Sequence, residues 1–247
     1  MGPKRETTQA PPDLESPRVS IIHHIDDNDH LAATTVSPPR KSDLAKELRK
    51  KRIECPLRHT FFVPISDLDN LITVSVIEKV ILSGNPGMKP AVARKYAETV
   101  ERSAKKLFAI LAYRDHGRVI CSFVDRKISD DDLPLRRRRE NDKWSLWRKE
   151  PEERIQVLDG SEDEDEEVEE FTRVQWWMMA PRFDKYTHEL LELKDDIILP
   201  FIPAEHGTGI AQRQIGGYSE VTPFRVHPAH HNFWDADIPL VSNLTLF

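Results

Sequence analysis

The chain has 247 residues, of which 36 are Lys or Arg and 42 are Asp or Glu, and its formal net charge is −6. The 38% hydrophobic residues, 32% charged residues and 18 prolines indicate that part of the chain does not pack. No apolar run approaches the roughly 20 residues that span a bilayer, no secretory leader is visible, and two cysteines exclude a disulfide framework. We therefore expect an intracellular protein, cytoplasmic or nuclear, that does not contact a membrane.

The first 41 residues are predicted to be disordered. Residues 1–40 contain six of the 18 prolines and little hydrophobic periodicity, a composition that cannot bury enough apolar surface to fold. Regular spacing of apolar residues begins at Ser42, and we interpret 42–135 as a helical accessory region.

Four elements are predicted within this region, in chain order. Ser42 is suited to cap a helix that runs to Ile53 and ends in basic residues. The apolar residues that follow predict one helix over Leu68–Leu82, closed by Gly84. A longer helical pattern starts at Pro90, continues through Leu111 and is ended by Gly117. A short buried element, Val119–Val124, completes the region.

Charge is unevenly distributed in the next segment, 136–170. Residues 159–170 contain nine acidic side chains and no basic one, whereas the rest of the chain has 33 acidic and 36 basic residues. Four consecutive arginines stand upstream at 136–139. Because runs of like charge repel and stay hydrated, 136–170 is predicted to be a charged linker, basic and then acidic. An import signal, weak polyanion binding and an internal contact between the two runs are alternatives.

Two further functional readings of this region concern partners and modification. Nucleic-acid recognition is disfavoured, because no zinc, helix-turn-helix or aromatic reading motif accompanies the basic charge. Ser161 is a candidate phosphorylation site, since acids at the following positions suit an acidophilic kinase.

The segment 171–195 carries the adjacent Trp176 and Trp177, which predict an aromatic segment that docks onto a folded neighbour.

The last segment contains a glycine turn between two strand-like arms, 210–215 and 220–227. Glycine lets a backbone lie over phosphates, and a valine that closes the turn can cover an adenine ring, as in the kinase loop Gly-x-Gly-x-x-Gly-x-Val. Aligned from Val221 backward, Ser219 takes the third glycine position, Gly216 the second and Gln214 the first. Gly217 lies beside them at the turn. A plain β-hairpin with a glycine turn is the alternative.

The sequences flanking this turn carry a resemblance to a known family. IILPFI precedes GGYSEV and RVHPAHHNF follows it, and together they resemble the opening of a fungal family of serine/threonine protein kinase-like proteins. KLFAILAYRD, ISDDDLPL and VQWWMMAPRFD are similar to the N-terminal extension of that family. The resemblance covers roughly 60–233, and it implies ATP- and Mg-dependent phosphorylation of protein Ser or Thr in a complete member.

The chain departs from the family where catalysis would need residues. No lysine follows Lys194, and neither His-Arg-Asp nor Asp-Phe-Gly follows Val221, so no group would grip the phosphates, hold magnesium or orient the hydroxyl. We therefore interpret 196–247 as the truncated start of a kinase N-lobe, without catalytic activity and without a cofactor of its own. The proposed remnant of a nucleotide loop comprises Gly216, Gly217, Ser219 and Val221.

The predicted fold class is α+β and partly disordered, with a small α-helical N-terminal unit followed by an incomplete kinase N-lobe β-hairpin. The expected partner is another protein or the remainder of a kinase domain. The competing hypothesis is a non-enzymatic interaction protein that binds partners through its basic and acidic segments. His227, His230 and His231 are interpreted as a loop between early strands. A metal site there is disfavoured, because no Cys or acid nearby completes a ligand set.

Overall fold

The computed structural model describes residues 43–155, 164–185, 195–203 and 224–233, together with two short strands at 214–215 and 220–221. These residues belong to one compact unit, Arg40–Phe247. The fold is mixed α+β, because helices pack with small antiparallel sheets. The predicted disordered segment 1–41 and the candidate phosphorylation site Ser161 lie outside the described residues.

Helices supply most of the core. The central helix, Lys105–Tyr113, is named α5, and every residue in it from Leu107 to Tyr113 is buried. All the other α-helices of the described ranges pack against it except Val74–Gly84, which packs on Pro90–Ser103 and on the turn at 117–119. No helix in the described ranges is both long and apolar enough to cross a membrane. The helices are α1 Asp43–Lys51, α2 Ile65–Leu71, α3 Val74–Gly84, α4 Pro90–Ser103, α5 Lys105–Tyr113, α6 Ile120–Asp125 and α7 Glu164–Met178.

Two predicted helices are each divided in the structure. The helix expected over Leu68–Leu82 is interrupted at Thr73, whose extended backbone (ψ 160°) lets its Oγ1 accept the N–H of Val76. The helix expected from Pro90 through Leu111 is interrupted at Ala104, at φ −142° and ψ 28°. Side chains that bind the exposed N–H groups of a first turn make these restarts favourable.

The second restart depends on a distant carboxylate. Ala104 cannot cap α5, and Asp130 accepts the N–H groups of Lys106 and Leu107 at 3.0 and 2.8 Å instead. Burial raises the pKa of Asp130, while these hydrogen bonds act in the opposite direction. The cap comes from a residue that follows α5 in sequence by about twenty positions, so no local pattern announces it.

The strands form four small antiparallel sheets in the described part of the chain. The strands are β1 Ile53–Cys55, β2 Thr60–Phe62, β3 Arg136–Glu140, β4 Lys143–Arg148, β5 Glu153–Ile155, β6 Phe201–Ile202, β7 Gln214–Ile215, β8 Glu220–Val221 and β9 Arg225–Val226. β1 pairs with β2, β3 and β5 flank β4, β6 pairs with β9, and β7 pairs with β8.

The expected linker over 136–170 is folded wherever the structure describes it. The arginine run forms β3, and β4 follows after a two-residue turn in which Asn141 and Asp142 have φ of 50° and 64°. Two positive φ angles are the signature of a type I′ turn, whose twist matches that of paired strands. Residues 164–170 of the acidic run form the start of α7, where negative side chains stabilise the positive end of the helix.

The two charged runs also contact each other, because Arg137 of the arginine run lies 3.7 Å from Glu169 of the acidic run, and this contact confirms the alternative of an internal contact. Glu164 lies 3.9 Å from Lys143 and 3.8 Å from Arg154, and the Asp165 carboxylate accepts the Trp144 N–H at 2.6 Å. Contacts between opposite charges therefore offset part of the repulsion within each run.

One of the two adjacent tryptophans of the aromatic segment is buried against neighbouring elements. Trp177 at the end of α7 is 5% exposed, and its ring makes edge contacts with Phe61 at 5.6 Å and Tyr113 at 5.4 Å. Its carbonyl accepts the Val63 N–H at 2.8 Å. These contacts place the C-terminal half of α7 against both β2 and α5. Trp176 is half-buried and faces a surface groove.

The end of α3 packs too closely against the turn before α6 for any side chain larger than hydrogen. A Cβ on Gly84 would lie 2.2 Å from the Cβ of Arg118, an atom fixed by the backbone. We therefore expect Gly84→Ala to lower the free energy of unfolding by about 2 kcal/mol through overpacking, although alanine ordinarily favours a helix.

Gly87 provides the matched control for this prediction. It lies three residues after Gly84, in the loop that follows α3, and a Cβ there would meet nothing within 4 Å. Urea unfolding of the two single variants compares them directly, and we expect Gly87→Ala to leave the midpoint nearly unchanged. Equal midpoints for both variants would show that α3 and the Arg118 turn are not in close contact.

Candidate functional site

The proposed nucleotide loop is only partly within the described residues. Its two ends, Gln214 and Val221, are Cα partners in the antiparallel pair β7·β8, and Ile215 pairs with Glu220. These two pairs are the part of the predicted hairpin that the structure describes. Gly216, Gly217 and Ser219 lie outside the described residues, and Val221 is described by its strand backbone alone.

One of the three histidines after the hairpin, His230, holds the chain against the helical part of the unit. His230 is fully buried. Its Nε2 accepts the N–H of Ile65 at 3.2 Å, and its Nδ1 lies 2.9 Å from the carbonyl oxygen of Pro181. Since an amide N–H can only donate and a carbonyl can only accept, these partners fix a neutral ring with the proton on Nδ1.

Burial gives this ring an unusual acidity. It lowers the pKa of His230 to about 4, with a smaller opposing effect from the Pro181 carbonyl. The pKa of His227 and that of His231 are also lowered, mainly by burial. No group of three His, Cys, Asp or Glu side chains suited to a metal occurs in the described ranges. The structure gives His230 a role in folding.

Neighbouring contacts reinforce this attachment. The Phe62 ring meets the His230 ring edge-on at a centroid distance of 5.5 Å, and Phe183 exchanges backbone hydrogen bonds with His230 and Asn232 at 2.8 and 3.2 Å. Residues 230–232 are therefore fixed to β2, to the start of α2 and to the residues that follow α7. Sequence reasoning missed this role, because no spacing pattern reveals which histidine is buried.

A second candidate site is the arginine edge, which we define as Arg136–Arg139 on β3. All four side chains are exposed. The guanidinium groups of Arg137 and Arg138 lie 4.9 Å from the ring centroids of Trp144 and Trp147, respectively. Such cation–π contacts fix the positions of the two guanidinium groups over the indole rings. The alternating sequence KWSLWR and the Asn-Asp turn were available signals for this hairpin.

An open groove of about 780 Å³ lies between the arginine edge and α7. At one end the Gln175 amide accepts the Leu135 N–H at 2.9 Å and donates to the Leu135 carbonyl at 3.0 Å. Gln175 is 2% exposed. Its side-chain amide makes the two backbone hydrogen bonds that a neighbouring strand would otherwise make at Leu135. The groove is lined by Pro134, Leu135, Arg136, Arg137, Glu169, Thr172, Arg173, Gln175, Trp176 and Asp196.

The His230 ring is occupied by structural hydrogen bonds, and the groove presents guanidinium groups, an indole and carboxylates suited to recognition. Comparisons with models of protein families, with curated proteins and with solved structures found no match to this chain.

Proposed function

We propose that this chain is a non-catalytic protein of the kinase-like class, in which the helical part anchors the first strands of a kinase-like segment. The observation that carries the proposal is the pairing of Gln214 with Val221. These residues are the first and last positions of the aligned glycine loop, and a nucleotide-covering loop needs its two ends on adjacent antiparallel strands. A complete family member would bind ATP with magnesium and phosphorylate protein Ser or Thr.

The anchoring part of the proposal is supported by His230. Its ring joins the chain just after β9 to Ile65 at the start of α2 and to Pro181 after α7. An accessory unit attached in this way would fix the position of the strands that follow the glycine loop. In a longer kinase-like protein, the same contacts would let the accessory unit influence nucleotide binding.

The proposed lack of activity is tested with the purified chain. Isothermal titration calorimetry with ATP and magnesium should show no micromolar binding, because the lysine and acidic groups that hold the phosphates and the metal are missing from the sequence after Lys194. Turnover of ATP that persists after removal of contaminating enzymes would contradict the proposal.

The competing function is an interaction protein without kinase ancestry, favoured by the exposed arginine edge. Sequencing the transcript beyond the codon for Phe247 separates the two hypotheses. A reading frame that continues into Ala-x-Lys, His-Arg-Asp and Asp-Phe-Gly supports the kinase-like proposal. A long frame without them supports the interaction protein.

A further inference from the structure

We propose that the arginine edge and its groove bind an extended peptide with consecutive acidic residues, which adds to the sheet beside β3. This inference does not require kinase ancestry. It rests on three features of the described residues: an edge strand, a groove of suitable size beside that strand, and exposed arginines on both faces of the sheet.

The outer side of β3 has no strand partner in the part of the chain that the structure describes. β3 ends the three-stranded sheet, whose order is β3-β4-β5. Apart from the pairing with β4, no backbone–backbone hydrogen bond among the described residues involves 136–140. An edge of this kind offers N–H and C=O groups to another extended chain.

The groove provides space for such a chain and limits where it can start. Its volume of about 780 Å³ lies between β3 and α7, and a peptide there would contact the half-buried Trp176. Gln175 already occupies the N–H and the C=O of Leu135. An added strand would therefore pair from Arg136 onward, where the backbone is not covered by a side-chain amide.

The charges on the edge are available for exchange. Arg136 makes no ion pair with any residue that the structure describes. The other three arginines of the edge have carboxylate partners. Each of these three arginine side chains is about half exposed, and each partner carboxylate is more exposed than its arginine. Exposed pairs of this kind add little stability, so a carboxylate of the peptide can replace them.

The alternation of the arginines favours a peptide over a nucleic acid. Arg136 lies opposite Trp147 and Arg137 opposite Leu146 in the antiparallel register, so neighbouring arginines project from opposite faces of the sheet. A peptide strand also directs successive side chains to opposite faces, and consecutive acidic residues would meet arginines on both. A phosphate backbone that follows one face of the sheet would meet only every second arginine.

The test uses the full chain and fluorescein-labelled octaglutamate, with binding followed by fluorescence anisotropy at low and physiological salt. We expect saturable binding that weakens with salt, and no binding of octalysine. Arg136→Ala should weaken octaglutamate binding about fivefold, as expected for one exposed charge contact. The matched control is Arg102→Ala, an exposed arginine on α4, and it should leave the affinity unchanged.

Three results would overturn the proposal. Equal binding of octaglutamate that is N-methylated at alternate residues would show that the peptide backbone does not pair with β3. Tighter binding of labelled oligothymidylate than of octaglutamate would identify the surface as a nucleic-acid site. A dimer in sedimentation velocity that Arg136→Ala dissociates would place a second copy of the chain on the edge. All three readouts are independent of ATP binding.

Discussion

Asp132→Ala should lower the free energy of unfolding by about 3 kcal/mol, because it leaves a partly buried guanidinium group without its main partner. The Nε and Nη2 atoms of Arg148 donate to the two carboxylate oxygens of Asp132 at 2.6 and 3.1 Å. The two side chains are 16% and 11% exposed. Asp132 also accepts the Ser129 N–H at 2.8 Å, so its removal opens the turn that carries Asp130.

Urea unfolding at neutral pH measures this loss. Asp43→Ala is the matched control, since Asp43 has a 99% exposed side chain in an exposed ion pair and should contribute little. The double variant Asp132→Leu/Arg148→Met should be more stable than Asp132→Ala, because it removes the charge that would remain unpaired. A loss no larger than that of Asp43→Ala would show that the Asp132–Arg148 pair is dispensable.

The second large effect is a loss of stability on acidification, through His230. The folded-state pKa of about 4 lies below the ordinary value of 6.5, so the unfolded chain binds the proton more tightly. The contribution of the neutral ring is complete above pH 6.5, is lost as the pH falls toward 4 and levels off below it. The difference corresponds to roughly 3 kcal/mol over this range.

Urea unfolding at a series of pH values between 7.5 and 4 tests this dependence. His230→Phe should be less stable than the native chain at neutral pH, because Ile65 and Pro181 lose their partner, but its stability should change less with pH. His59→Gln is the control, since the side chain of His59 is 85% exposed. If His230→Phe retains the full pH dependence, another group must carry it.

Local sequence signals were sufficient for most of the helices. Pro90 starts α4, Gly84 ends α3, and the helix from Asp43 to Lys51 ends in basic residues as expected. The interruptions at Thr73 and Ala104 were missed, because apolar spacing continues through both. Thr73 was a readable cap, whereas the cap on α5 comes from Asp130 and depends on tertiary contacts.

The arginine run shows where composition misleads. Four like charges predict a hydrated linker, but β3 is stabilised by its pairing with β4, by the Asn141–Asp142 turn and by aromatic rings beneath the guanidinium groups. The acidic residues on α7 are far from the arginines in sequence and come close to this sheet only in the folded structure. No local pattern therefore predicts their contact. The proposed kinase resemblance of the C-terminal segment stays a prediction.

Helix α7 is held by ion pairs at its N-terminal end and by apolar burial at its C-terminal end, and these two interactions depend differently on salt. Its first turns are attached by charge to Lys143, Arg154 and Arg114, whereas its last turns are buried around Trp177. Added electrolyte weakens attraction between partly exposed charges but leaves apolar burial intact or strengthens it. High ionic strength can therefore weaken the attachment of the first turns of α7 to β4, β5 and Arg114, while its last turns remain buried in the core.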